Sequence, residues 1–257
     1  MMTMPDSSAH AEVNGLHMYY ELHGSGDGDR RPLVLLHGGV HTIELSFAAV
    51  LPALAYGRRI VAPELQGHGR TADTAREMTV ANLASDVLAL LDELGIEQAD
   101  FLGFSLGGLT ALEIAVRHPE RVGRLVLAAT HYRQDGYHDE VRTPDYASPR
   151  LPSQADFQEM AEAYAAVAPH PEHFQDFLVK VTGAAHATLP WTADDLRALT
   201  APTLLVIGDN DFVRVEHAAE MQALIPAARL AVLPGTTHVT LMRRASVLVP
   251  LLTEFLD

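Results

Sequence analysis

Gly103-Phe104-Ser105-Leu106-Gly107 is the stretch on which the fold turns. A serine sits between two glycines, after the apolar run Ala99-Asp100-Phe101-Leu102 and before a helix-like run from Leu109 to Arg117. G-x-S-x-G in that setting is a sharp strand-to-helix turn that holds a hydroxyl in a strained, exposed position. The glycines are small where the chain packs tightly on either side of the turn and a Cβ would clash. Ser105 then stands at a helix N-terminus, whose free N–H groups and dipole favour negative charge. A pentapeptide arises by chance, so its weight depends on what surrounds it.

The surroundings alternate in the right way. Asn14-Gly15 is a preferred two-residue hairpin turn, so residues 12–22 read as two antiparallel strands. Ser25 to Arg30 reads as a Gly/Asp loop. Continuous apolar runs at 33–36, 59–62, 101–102, 125–128, 204–207 and 230–233 read as strands covered on both faces. Helical spacing appears over 79–94, ending at Gly95, over 105–117 before Pro119, and over 214–224 before Pro226. A last helix is expected over 246–256, with Pro250 imposing a late start or a kink. Strand and helix in alternation predict an α/β protein with a mostly parallel eight-stranded sheet flanked by helices.

One region departs from this rhythm. From His131 to about Thr200 no strand is apparent. A polar, Pro-rich stretch (132–152) leads into helix-like segments near 156–167 and 171–181, and the region is rich in aromatics. Inserted after the sixth strand, it reads as a helical cap. The expected organisation is a core of residues 1–130 and 201–257 with a cap of residues 131–200.

Composition removes several classes of function. The 257 residues are 48% hydrophobic, ample for a large core. There is no cysteine, hence no disulfide framework, thiolate nucleophile or cysteine-ligated zinc. The net charge of −15 would repel a nucleic acid, and Arg30-Arg31, Arg58-Arg59 and Arg243-Arg244 are isolated pairs rather than a basic stripe. No apolar stretch approaches the ~18 residues of a membrane span, and no secretory signal is visible, so a cytoplasmic protein is expected. The fourteen histidines form no zincin-type pair, and no metal or organic cofactor is expected.

A serine hydroxyl needs a base to take its proton, and the base needs orienting. Both partners lie downstream of Ser105. Asp209 and Asp211 follow the strand at 203–207, and His238 follows the strand at 230–233. A second oxyanion donor is available where the strand 33–36 runs into His37-Gly38-Gly39, with Leu106 supplying the other N–H.

In these pieces, together with Pro63-Glu64-Leu65-Gln66-Gly67-His68-Gly69-Arg70-Thr71, the sequence resembles the capped, serine-nucleophile α/β-hydrolase fold family. The resemblance spans nearly the whole chain except the 131–200 region and the N-terminal dozen residues. It implies Ser105 as nucleophile, His238 as general base and acid, and Asp211, rather than Asp209, as the orienting acid. Asp135, after the sixth strand, occupies a place where some relatives carry their acid. The resemblance implies Gly39 and Leu106 as the oxyanion hole. Glu64 stands where relatives usually have aspartate in a structural turn. Serine rather than aspartate at the elbow argues against epoxide opening or halide displacement. His41 and His131 follow strand ends near the expected site mouth and, with Phe104, Tyr132, Phe157 and Trp191, are candidates for its lining; Met160 reads as core or wall. His37 reads as a structural loop residue, and His68 and His118 as belonging to surface turns or helix ends. The implied activity is hydrolysis of a small, largely apolar acyl compound, most simply a carboxylic ester, with esterase-like chemistry. Lactones, thioesters, carbon–carbon bonds and cofactor-free perhydrolysis fall within the same apparatus. A ligand-sensing receptor with a retained triad is the alternative from another class.

Overall fold

The computed structural model describes residues 4–26 and 30–257, so residues 27–29 of the expected 25–30 loop lie outside the described residues, as do residues 1–3. Eight strands form one sheet in the order β1-β2-β4-β3-β5-β6-β7-β8. They are β1 (Ser7–Val13), β2 (Leu16–His23), β3 (Leu33–Leu36), β4 (Ile60–Pro63), β5 (Ala99–Phe104), β6 (Val122–Ala128), β7 (Thr203–Asn210) and β8 (Ala228–Thr237). Only β2 runs against the rest, pairing antiparallel with β1 and β4; the neighbours from β4 to β8 are parallel. All six parallel strands therefore end at one edge of the sheet, where ligands bind in open α/β sheets.

Period-2 side chains explain the continuous apolar runs. Val34, Leu36, Phe101, Leu125 and Leu127 enter the core on the face covered by α3 (Val80–Glu93) and α4 (Leu106–Arg117). Leu33, Leu35, Leu102, Phe104 and Val126 enter the other core, covered by the short helices at Ile43–Phe47 (α1) and Leu51–Leu54 (α2) and by the C-terminal helix over Ala245–Leu256. Strand β8 departs from the expectation of cover on both faces: it is the sheet edge, and Val232 is 37% exposed. The N-terminal hairpin turns at Asn14 (φ +50°) and Gly15 (φ +80°), as the Asn-Gly signal requires, but β1 starts earlier than expected, at Ser7. Its first four residues are exposed and carry no apolar period to read. The C-terminal helix corrects the late start, one of the two effects expected of Pro250. It starts at Ala245 and runs through Pro250, with no late start. Ser246 and Pro250 are exposed, so water can satisfy the carbonyl that the missing proline N–H leaves free.

Between β6 and β7 the described residues contain helices and no strand. They are α5 (Asp139–Arg142), α6 (Gln154–Val167), α7 (Phe174–Ala185) and α8 (Ala193–Arg197). Helix α9 (Val215–Leu224) and the C-terminal helix, α10, follow. The Ser153 hydroxyl caps α6 and the Asp156 carboxylate returns the bond to the Ser153 amide, which fixes where this helix starts. Helix α7 lies over the β3 loop: a Cβ placed on Gly39 would come 3.2 Å from Val181, and Phe177 packs edge-on against His68 at 4.7 Å. No helix among the described residues is long and apolar enough to cross a membrane.

At the opposite edge of the sheet lies a buried ion pair. Arg58 and Asp100 are 3% and 1% exposed and bonded to each other. Arg58 also donates to the Arg31 and Leu256 carbonyls, while the other Asp100 oxygen accepts from the Arg124 amide at 2.7 Å. The pair thus joins β5, β6, the β4 entry and the C-terminus. Removing one partner strands the other charge. Asp100→Ala is expected to lower unfolding free energy by about 3–5 kcal/mol in urea titration; a loss below about 1 kcal/mol would show that water relieves Arg58.

Candidate active site

Ser105 is held at φ +52° and ψ −115°, a conformation rare for a residue with a side chain. What holds it is lack of space. A Cβ on Gly103 would stand 2.3 Å from the Gly107 carbonyl oxygen, and one on Gly107 would stand 2.0 Å from that of Leu36. One on Gly108 would meet the Thr130 hydroxyl at 1.9 Å. Three glycines let α4 start directly against β3, β5 and β6, and the serine between them turns outward. The Ser105 amide donates to the Ala128 carbonyl at 2.9 Å, and its carbonyl accepts the Leu109 amide at 2.9 Å, so the turn is tied to β6 and to the helix.

The ends of β7 and β8 bring the other two groups to it. Asn210 pairs with Thr237 after a register shift at residues 208–210, which sets Asp211 beside the loop carrying His238. His238 Nε2 is 3.0 Å from Ser105 Oγ, and its Nδ1 is 2.8 Å from Asp211 Oδ1. Asp211 is fully buried and also accepts the Val213 amide at 3.2 Å and the Gly208 amide at 3.4 Å. The His238 ring stacks on Phe212 at 3.8 Å with an interplanar angle of 4°. The imidazole is thereby fixed by a face and by both nitrogens. Asp209 takes a different place: its carboxylate accepts the Gly235 and Thr236 amides, each at 3.0 Å, and so braces the turn leading to His238. Those amides hold it below its ordinary pKa. Asp135 faces solvent and pairs with Arg133 at 2.6 Å.

Gly39 and Leu106 line the same cavity as Ser105, and a Cβ on Gly39 would be 3.8 Å from that of Leu106. Leu106 is the first residue of α4, so its N–H has no partner within the helix. The Gly39 loop is braced from behind. His37 Nδ1 bonds to the Gly38 carbonyl at 2.8 Å, and its Nε2 accepts the Leu65 amide at 3.0 Å. Burial lowers its pKa to about 4. Leu65 belongs to the 63–71 turn, in which Glu64 accepts the Arg70 amide at 2.6 Å and lies where any Cβ on Gly69 (φ +53°) would clash. Thr71 links this turn to β2 through the Tyr19 amide at 2.9 Å. His68 is fully buried in it against His37 and Phe177, not at the surface as expected, because α7 covers the turn. His118 does cap the end of α4.

The cavity over Ser105 has a volume of about 160 Å³. Of the six expected lining residues, His41, Phe104 and Phe157 reach it. The other three do not. His131 lies wholly buried behind Tyr137, ring centroids 3.9 Å apart, with neither nitrogen bonded among the described residues. Tyr132 turns the other way, stacking on His217 and donating to Glu220 at 2.8 Å. Trp191 packs under α4 and donates to Glu113 at 2.5 Å. Consecutive loop residues point in directions that no periodicity encodes, which is why type and place alone misassign them. Tyr137, Val181, His186 and Phe212 reach the cavity without having been singled out, and Met160 is wall. Burial pushes the Tyr137 phenol up, so it stays protonated. The one cluster of possible metal ligands among the described residues, His170, Glu172 and His173, is exposed on the α7 approach and outside this cavity.

Burial holds His131 down to about 3, against an ordinary 6.5. As pH falls below 6.5 the unfolded chain takes up this proton and the folded one does not, so stability is lost until the folded pKa is reached. Between pH 7.5 and 5.0 this one group contributes about 2 kcal/mol of loss. His131→Leu should shrink the pH dependence of urea unfolding by about that amount; an unchanged dependence would show that the ring is hydrated.

The family profile described as "alpha/beta hydrolase fold" matches residues 31–177. Over 112 residues the chain is 46% identical to 2-hydroxymuconate semialdehyde hydrolase of Pseudomonas sp. strain CF600, covering 41% of this chain and 38% of that protein. The chain spans less than half the length of the curated relatives it matches. Among solved structures it is similar to the enol-lactonase of Burkholderia xenovorans LB400, with a TM-score of 0.72 and 25% identity over 96% of this chain and 99% of that one. It is also similar to Est816, described as an N-acyl homoserine lactone degrading enzyme, with a TM-score of 0.76 and 26% identity over the same shares. The chain belongs to the alpha/beta hydrolase fold family.

Proposed function

We propose that the protein is a serine hydrolase that cleaves a carboxylic ester through an acyl-enzyme on Ser105, with residues 131–200 as a cap over the site. The observation that carries this reading is the unbroken line of hydrogen bonds from buried Asp211 through His238 to Ser105, at 2.8 and 3.0 Å. His238 Nε2 takes the hydroxyl proton as Ser105 attacks the acyl carbon, and Asp211 holds the tautomer that leaves Nε2 free and stabilises the imidazolium that forms. The tetrahedral oxyanion is held by the Gly39 and Leu106 amides, aided by the positive end of α4. His238 then gives its proton to the leaving alcohol. Water enters by the same route in reverse and releases the acid. Apart from that water, every group used in these steps belongs to the chain itself.

A cyclic ester fits the same chemistry, the leaving oxygen remaining attached to the acyl group. Whole-chain similarity to an enol-lactonase at 25% identity favours this second reading. The local 46% match to a semialdehyde hydrolase supports carbon–carbon cleavage only over the part of the chain that aligns.

With p-nitrophenyl butyrate, Ser105→Ala is expected to lose about 10⁴-fold or more in kcat with the fold intact by circular dichroism, and Asp211→Asn a comparable factor. Retention of the rate in Ser105→Ala would overturn the mechanism.

A further inference from the structure

His41 is a cavity group that the mechanism above leaves without a task. It follows the Gly38-Gly39 segment and lines the cavity beside Phe104, ring centroids 5.6 Å apart. Its Nδ1 lies 3.0 Å from Ser46 Oγ, and Ser46 Oγ accepts the Gly38 amide at 3.3 Å. Ser46 is buried. If His41 carried its proton on Nδ1, the serine oxygen would accept twice and its own proton would have no acceptor among the described residues. If the serine donates to Nδ1, the hydroxyl, Nδ1 and the Gly38 amide are all satisfied and the imidazole proton sits on Nε2. Nε2 has no protein partner among the described residues. Burial, with smaller contributions from His37, His238 and Arg243, lowers the ring's pKa to about 3, so it is neutral at working pH. The loop that presents the Gly39 amide thus also presents a fixed, uncharged N–H.

The rest of the wall is consistent in charge. No Asp, Glu, Lys or Arg side chain lines the cavity among the described residues. The cations on the surrounding elements are engaged elsewhere: Arg150 with Glu140 at 3.1 Å, Lys180 with Asp73 at 2.8 Å and Arg243 with Glu159 at 2.6 Å. A carboxylate entering this site would lose its water and meet no counter-charge, in a protein of net charge −15. We propose that His41 Nε2–H donates to an oxygen of the bound substrate, and that the site takes uncharged acyl compounds in preference to carboxylate-bearing ones. The proposal rests on the serine-hydrolase reading and names the substrate class of that same site.

The test compares p-nitrophenyl butyrate with mono-p-nitrophenyl succinate, which has a carboxylate in place of the terminal methyl, at pH 8, where ordinary imidazoles are neutral. The wild-type protein is expected to favour the butyrate by at least about 100-fold in kcat/KM. His41→Leu is expected to lose about 10- to 100-fold on the butyrate, chiefly as a rise in KM, with the fraction of Ser105 titrated by a fluorophosphonate unchanged. His41→Gln, whose amide supplies an N–H, should recover part of that loss. The wild-type comparison of the two esters depends on no variant folding. Equal use of the two esters, or an unchanged KM in His41→Leu while Ser105→Ala is inactive, overturns this inference alone. An active Ser105→Ala removes the reading beneath it and this inference with it.

Discussion

The rest of the structure depends on one steric constraint, the missing Cβ atoms at Gly103, Gly107 and Gly108. Each would stand within 2.3 Å of an atom of a neighbouring element. Their absence lets α4 pack end-on against the centre of the sheet and forces Ser105 into a left-handed backbone that a side chain rarely adopts. Such strain persists only where the surroundings over-determine it. Here they are β3, β5 and β6, parallel neighbours that are buried where they meet the turn. The sheet core therefore does more than stabilise: it sets the direction of one hydroxyl.

Around that hydroxyl, polar groups are aimed while charge is kept away. Asp211 is spent on His238 and two backbone amides. His37 and His41 are neutral because burial penalises their cationic forms, and each is fixed by a bond at Nδ1. The surface is strongly acidic, but that charge stops at the cavity, whose wall is apolar apart from hydroxyls and imidazoles. Preorganised neutral dipoles suit a site where negative charge appears only in the transition state, because they need no reorganisation when it does. The 63–71 turn belongs to the same arrangement: Glu64, Thr71 and the Leu65 amide tie the loop bearing Gly39 to β2.

What could be read from the sequence was what local chemistry dictates. G-x-S-x-G-G specifies its turn because only glycine fits, Asn14-Gly15 specifies a hairpin, and buried parallel strands appear as unbroken apolar runs. Aspartate and histidine just past the last two strands were legible because parallel strands end at one edge. The edge exposure of β8 was hidden, since its apolar residues resemble those of a covered strand while strand order is a long-range property. The start of β1 was hidden because an exposed strand has no apolar alternation. The 131–200 region was legible as helical but not in its directions: Tyr132 and Trp191 turn away from the cavity while Tyr137 turns in, each set by a partner far along the chain. Choosing Asp211 over Asp209 came from the family resemblance, and the geometry gives the two carboxylates distinct neighbours.

On the proposed mechanism, this backbone geometry aims Ser105 at an acyl carbon with two amides waiting for its oxygen. A crystal structure of the protein reacted with an alkyl fluorophosphonate measures that most directly. The expected adduct has a covalent bond to Ser105 Oγ, with the phosphonyl oxygen about 2.7–3.1 Å from the amide nitrogens of both Gly39 and Leu106. An adduct on another residue, or a phosphonyl oxygen turned away from those amides, would contradict it.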